Sequence, residues 1–246
     1  MAVFRVNPDA SSRGVGDHAH MSCIRKGRSR PGVDRRWRTA ALALSGVAAL
    51  GASRAWLRDW GATPAEIAGA LPGDPMVPEP AEQTTWAVTA EAPREAVWPW
   101  LVQMGWGRGG FYSYSAVERA LGVATPGATR VEPGLQDLRV GDTVRMTPDP
   151  YLIGLAGRGF SVIDVDPPRS LGLLQRRPSG ALIGWVFVLR GLPDGRTRVI
   201  VRTRRTRPTA RTGRLAHWAE STLLGPGEAI MERGMLRGLA RRATRG

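Results

Sequence analysis

The residues best suited to gripping a ligand gather in one stretch of the chain. Trp98, Met104, Trp106, Arg108, Phe111, Tyr112 and Tyr114 fall between positions 98 and 114, and Trp185, Phe187, Met231 and Met235 add apolar bulk further on. Indole and phenol rings offer a broad apolar face with one polar handle. That suits a packed core, and equally the mouth of a cavity where a ligand meets water. Arg108 is the one charged residue in Gly107-Arg108-Gly109-Gly110. Its planar fork matches a carboxylate or a phosphate. The glycines beside it do not form a phosphate-binding fingerprint, because no strand leads into them and their spacing is wrong. These eleven residues are the candidate ligand-binding set.

Groups for metal or nucleophilic chemistry are sparse. His18 and His20 lie in a polar tail, and His217 stands alone in the remainder. A lone histidine lacks the partners for a metal site or a nucleophilic triad. Cys23 is the single cysteine, so an intrachain disulfide and a cysteine-based metal site are both excluded. Glu118 and Asp137 read as cap and loop residues. No catalytic residue, metal ligand or cofactor is assigned from the sequence.

The elements that must position the candidate set follow from periodicity. Gln83 to Ala90 alternates as a strand, with Thr84, Trp86, Val88 and Ala90 on one face. Pro93 then opens a helix that carries Val97, Trp98, Leu101 and Val102 on one side, with Pro99 expected to kink it and Gly105 to stop it. Ser115 to Glu118 fits a capping box at the start of a second helix. Strands are expected at Gly141–Met146, Phe160–Val165 and Ser170–Gln175. Leu182 to Arg190 places Ile183, Trp185, Phe187 and Leu189 together. The turn Leu192-Pro193-Asp194-Gly195 joins it to a strand with Thr197, Val199, Val201 and Thr203 on one face. Arg198, Arg202 and Arg204 share the other face with Ile200, making a half-buried antiparallel hairpin. Leu215, Trp218, Ala219 and Thr222 share a helical face, and Gly225-Pro226-Gly227 interrupts it. Ile230, Met231, Gly234, Met235, Gly238 and Leu239 form a second stripe. Its small residues allow close approach to a sheet, while Glu232, Arg233, Arg237 and Arg241 face water. The expected class is α+β: a curved antiparallel sheet closed by a long C-terminal helix, with two short helices after the first strand. A gap between sheet and helix is a natural ligand cavity.

Several blocks add a resemblance. They are Leu71-Pro72-Gly73-Asp74, Trp98-Pro99-Trp100-Leu101-Val102-Gln103-Met104-Gly105, Gly107-Arg108-Gly109-Gly110-Phe111-Tyr112-Ser113-Tyr114, Val140-Gly141-Asp142 and Met231-Glu232-Arg233. Residues 60–242 resemble the bacterial branch of the SRPBCC superfamily, which includes START, polyketide cyclase and Bet v 1-like domains. The resemblance implies a helix-grip fold and an apolar cavity; it implies no particular reaction.

Charge and hydropathy divide the chain. Residues 1–60 hold 11 basic and 4 acidic side chains, residues 61–200 hold 13 and 14, and residues 201–246 hold 11 and 3. The surplus sits at the two ends. Of the 35 basic residues only Lys26 is lysine. Residues 1–36 read as a disordered basic tail. Residues 37–58 form a hydrophobic helical segment around the uncharged run Thr39–Ser53, short of the roughly 20 residues of a membrane span. Three readings compete for it: a marginal anchor, a helix on a membrane or protein surface, or a signal-peptide core. Prolines 64, 72, 75, 78 and 80 make residues 59–81 an extended connector, and 82–242 the START-like domain. The expected partner is a hydrophobic small molecule, with an anionic membrane surface second and nucleic acid disfavoured. Localisation is membrane-associated through residues 39–57 or cytoplasmic. Three functions are weighed: a carrier of a lipid, isoprenoid or polyketide-like compound; a cyclase- or hydratase-like enzyme using the same cavity; or an interaction module whose arginine-rich face, residues 198–211, meets anionic lipid or nucleic acid.

Overall fold

Alternating side chains fold six segments of the described chain into one sheet. A computed structural model describes residues 58–120, 127–148, 159–208 and 225–245. The tail 1–36, the apolar run 39–53 and the Leu215–Thr222 stripe lie outside the described residues. Strands β1 (Glu82–Ala90), β2 (Thr143–Arg145), β3 (Gly159–Asp166), β4 (Ser170–Arg176), β5 (Leu182–Gly191) and β6 (Thr197–Arg205) pair in the order β1-β6-β5-β4-β3-β2, antiparallel throughout. Helix α1 (Pro64–Ala68) precedes β1, α2 (Arg94–Val102) and α3 (Ser115–Ala120) follow it, and α4 (Gly225–Ala243) closes the described chain. This is the α+β helix-grip architecture the sequence led us to expect. Among the described residues no helix is long and apolar enough to cross a membrane.

The period-2 pattern sorts the sheet into two apolar faces. On the inner face lie Trp86 and Ala90 of β1, Val199 and Val201 of β6, Trp185, Phe187 and Leu189 of β5, Leu171 and Leu173 of β4, and Phe160 and Val162 of β3. Against them pack α2, through Val97 and Leu101, and α4, through Met235, Leu236 and Leu239. The β3 register slips between Val162 and Asp164, a bulge of the kind that bends a strand. Helix α2 runs through Pro99 and ends at Val102, three residues before Gly105.

The outer face is where expectation and structure part. Ala87, Val186, Val188 and Ile200 form a second core with Leu71, Ala62 and Met76. Residues 58–77 are therefore a packed cover, with helix α1 and a 3-10 turn at Asp74–Met76, where the prolines suggested an extended connector. Thr63 caps α1 in a reciprocal box: its hydroxyl accepts from the Glu66 N–H, and its own N–H donates to the Glu66 carboxylate at 2.7 Å.

Arginines of β6 fasten this cover. Arg202 is 2% exposed. It donates to Asp74 at 2.8 Å, to the carbonyls of Glu66, Ile67 and Gly69, and to Thr85. Arg198 forks onto Glu66 at 2.7 and 2.8 Å. Arg204 donates to Gln83 and the Asp74 carbonyl. The three arginines expected to face anionic lipid or nucleic acid are thus engaged inside the protein. Alternation placed them correctly on the outer side; the cover contributed by residues 58–77 explains their burial.

Candidate functional site

The inner face carries an aromatic row. Period 2 along β5 puts Trp185 and Phe187 on the same side, and β3 brings Phe160 alongside. Ring centroids lie 5.4 Å apart for Phe160–Trp185 and 4.7 Å for Trp185–Phe187, both tilted. Such offset geometries are the ones aromatic quadrupoles favour.

Into this wall α4 inserts an acid. Glu232 is 9% exposed and accepts a hydrogen bond from Trp185 Nε1 at 3.2 Å. Burial pushes its carboxyl up to about 8. The nearby Glu228 carboxylate raises it further, against the Trp185 hydrogen bond and the Arg205 charge. Glu228 itself is bound to Arg205. At neutral pH Glu232 is a carboxylic acid with an O–H to donate. The sequence pattern assigns Glu232 to water and Ile230 to the apolar stripe. The structure reverses both, with Ile230 48% exposed. Glu232 stands three, four and seven positions before Met235, Leu236 and Leu239, so the helical period itself assigns it to the buried face. Its charge masked that signal. Phe160, at the edge of a strand, was also overlooked as part of the row.

The Gly-rich stretch forms a corner between α2 and α3. The Gly105 and Gly110 backbones bond reciprocally at 3.2 and 3.1 Å, and Gly105 adopts φ 131°, a backbone angle that favours glycine. Arg108 donates through Nη2 to the carbonyls of Val102 at 3.1 Å and Leu135 at 2.9 Å, tying the end of α2 to the loop beyond. Buried Gln103 ties the same loop, donating to the Arg130 carbonyl and accepting from the Glu132 N–H. Tyr112 is buried at φ 58°, its hydroxyl donates to the Trp100 carbonyl at 3.0 Å, and burial pushes the phenol up to about 12. Its ring meets Trp100 edge-on and lies 4.4 Å from the Arg242 guanidinium.

Other candidates take their places around this corner. Met104 is buried, Trp98 and Phe111 pack half-buried on the core, and Arg145 sits 5.5 Å over the half-buried Trp106 ring. Tyr114 is 40% exposed and lies against Gly234. The Ser113 hydroxyl donates to Glu118 and lies 3.9 Å from the Met231 sulfur. Helix α3 opens on the Tyr114 carbonyl, which accepts from the Glu118 N–H at 3.0 Å, so Ser113 takes the acid that a capping box would give to Ser115. Gly234 and Gly238 do permit close packing, though against Tyr114 and Tyr112 of this corner and not against the sheet. The candidate set thus divides: Trp185, Phe187 and Met235 with Glu232 on the concave face, and Trp106 to Tyr114 at the corner, with Met231 between them.

No protein-family model matches the chain, and no curated protein does. Solved structures resemble it distantly. The self-sacrificing resistance protein CalC from Micromonospora echinospora is 12% identical, over 65% of this chain and 93% of its own, with a TM-score of 0.40. MLL2253 from Mesorhizobium loti is 14% identical over 65% and 98%, TM-score 0.35. DynU16, a putative protein of the dynemicin biosynthetic locus, is 16% identical over 65% of this chain and 48% of its own, TM-score 0.34. The helix-grip assignment rests on the strand order and the packing of α4 described above.

Proposed function

We propose that this domain binds an apolar small molecule of the lipid, isoprenoid or polyketide-like class between the concave sheet and α4. Apolar contact at roughly 25 cal/mol per Å2 supplies most of the affinity. Glu232 orients the guest by donating its O–H to a carbonyl or hydroxyl oxygen.

One observation carries this reading: an acid held neutral among aromatic rings, with Trp185 as its hydrogen-bond partner among the described residues. A carboxyl so placed costs stability unless its remaining hydrogen-bonding capacity is used. Nothing in the packing of α4 demands an acid there, since leucine or methionine would fill the same stripe. The arrangement makes sense if a ligand oxygen meets the carboxyl on the side that Trp185 leaves open.

The test is native mass spectrometry and solvent extraction of the protein purified from its own host, beside Glu232→Leu. The expected result is a copurified apolar molecule bearing an oxygen acceptor, reduced at least tenfold in the variant. An empty wild-type protein that also fails to take up a fluorescent fatty acid saturably would overturn the reading.

Glu232 also favours a second reading. A carboxylic acid kept protonated beside the aromatic row suits a cyclase- or hydratase-like step, where an acid protonates a reactive carbonyl or alkene. Turnover of a bound guest that is abolished in Glu232→Gln while uptake persists would distinguish enzyme from carrier.

A further inference from the structure

At the end of the sheet, where the β3–β4 turn, the last residues of β5 and the start of α2 meet, lies an open groove of about 480 Å3. Pro72 and Val188 give it apolar surface; Arg94, Arg169 and Arg190 give it charge, and Asp166 is the one acid along it. Asp166 is already committed. Arg169 donates to both its oxygens at 2.8 Å, and the two charges offset each other.

Arg94 and Arg190 are different. Neither has a hydrogen bond or ion pair among the described residues. Several other arginines of the described chain find acids: Arg139 takes Asp137, Arg196 takes Asp194 and Glu91, Arg198 takes Glu66, and Arg205 takes Glu228. The two unpaired cations line the same groove. Arg94 opens α2 with its Nε 3.4 Å from where a side chain on Gly191 would begin, and Arg190 points to the other face of the same strand end. Across the sheet, Arg190 pairs in register with Arg198, whose charge Glu66 meets. Like charges so arranged beside apolar surface are unfavourable until an anion joins them.

We propose that this groove binds a small organic anion, a carboxylate or phosphate carried on a compact apolar body. Arg94 and Arg190 hold its oxygens through charge-assisted hydrogen bonds, and Val188 and Pro72 meet the body. The site lies at the Gly191 end of β5, six residues along the strand from the Trp185 that holds Glu232, and does not depend on what binds beside Glu232.

The experiment is an NMR titration of the full chain at low salt with benzoate, phenyl phosphate and benzyl alcohol, following the amides of Ser170 and Gly191. The expected result is saturable shifts with one or both anions and none with the alcohol, which shares the apolar body. Comparing the two anions separates carboxylate from phosphate as the preferred group. The double variant R94Q/R190Q should weaken binding at least tenfold, while R139Q leaves it unchanged. Equal shifts with benzyl alcohol, unchanged affinity in R94Q/R190Q, or shifts confined to Trp185 and Glu232 would each overturn the proposal.

Discussion

A charged residue on a helix is ordinarily assigned to water, and for Arg237 and Arg241 that holds. Glu232 breaks the habit because spacing outweighs residue type: its neighbours at three, four and seven positions are all buried. A proton balance follows. The folded protein keeps Glu232 protonated up to about pH 8, whereas the unfolded chain releases that proton near 4.5. The unfolded state thus binds fewer protons in this window, and Glu232's contribution to stability falls as pH rises from 4.5 to 8. The slope is at most about 1.4 kcal/mol per pH unit. Glutamine keeps the acceptor for Trp185 and has no proton to lose. Urea unfolding of Glu232→Gln and wild type at pH 5 and pH 8 should therefore show the variant gaining on wild type at the higher pH. A difference that stays constant between the two pH values would refute this account. Glu66 acts in the opposite sense. The Arg198 hydrogen bond outweighs burial and lowers it to about 2, so its contribution is present above 4.5 and fades as pH falls towards 2.

At the level of elements, the strands were readable because alternation reports two faces directly. The inner residues of β5 and β6 are the ones the pattern selected, and the turn at Pro193–Gly195 lies where its chemistry put it, with Gly195 at φ 83°. What α4 packs against was not readable. Its glycines announced a close approach, but only the folded chain shows that the neighbour is the Tyr112 corner. A side chain on Gly238 would begin 1.9 Å from the Tyr112 carbonyl, whereas one on Gly227, near the start of the same helix, meets nothing within 4 Å. Alanine ordinarily favours a helix over glycine by up to about 1 kcal/mol. Gly227→Ala should therefore be neutral or raise the melting temperature. Gly238→Ala should lower it, because backbone cannot yield as a flexible side chain can, and overpacking costs about 1–3 kcal/mol or more. Equal shifts for the two variants would mean that α4 does not press on the corner as described.

For the molecule as a whole, the boundary between connector and domain moves. Proline content and lack of period mark residues 59–81 as a linker, and nothing local contradicts it. The evidence against it is non-local: Arg202 reaches partners more than 110 residues earlier in the chain, and Leu71 and Val77 are buried. A chain beginning at Glu82 would expose Ala87, Val186, Val188 and Ile200 together. It would also strip Arg202 of Asp74 and of the carbonyls at Glu66, Ile67 and Gly69, leaving a cation on apolar surface. Losing one partner of a buried ion pair alone costs about 3–5 kcal/mol, a large part of a domain's usual margin of about 5–15 kcal/mol. We expect the protein cut at residue 82 to be insoluble or to unfold without cooperativity, and the protein cut at residue 58 to melt as a single transition close to that of the full chain. Differential scanning calorimetry of the two truncations decides it. A cooperative transition for the shorter chain within a few degrees of the longer one would show residues 58–77 to be an accessory rather than a third layer of the fold.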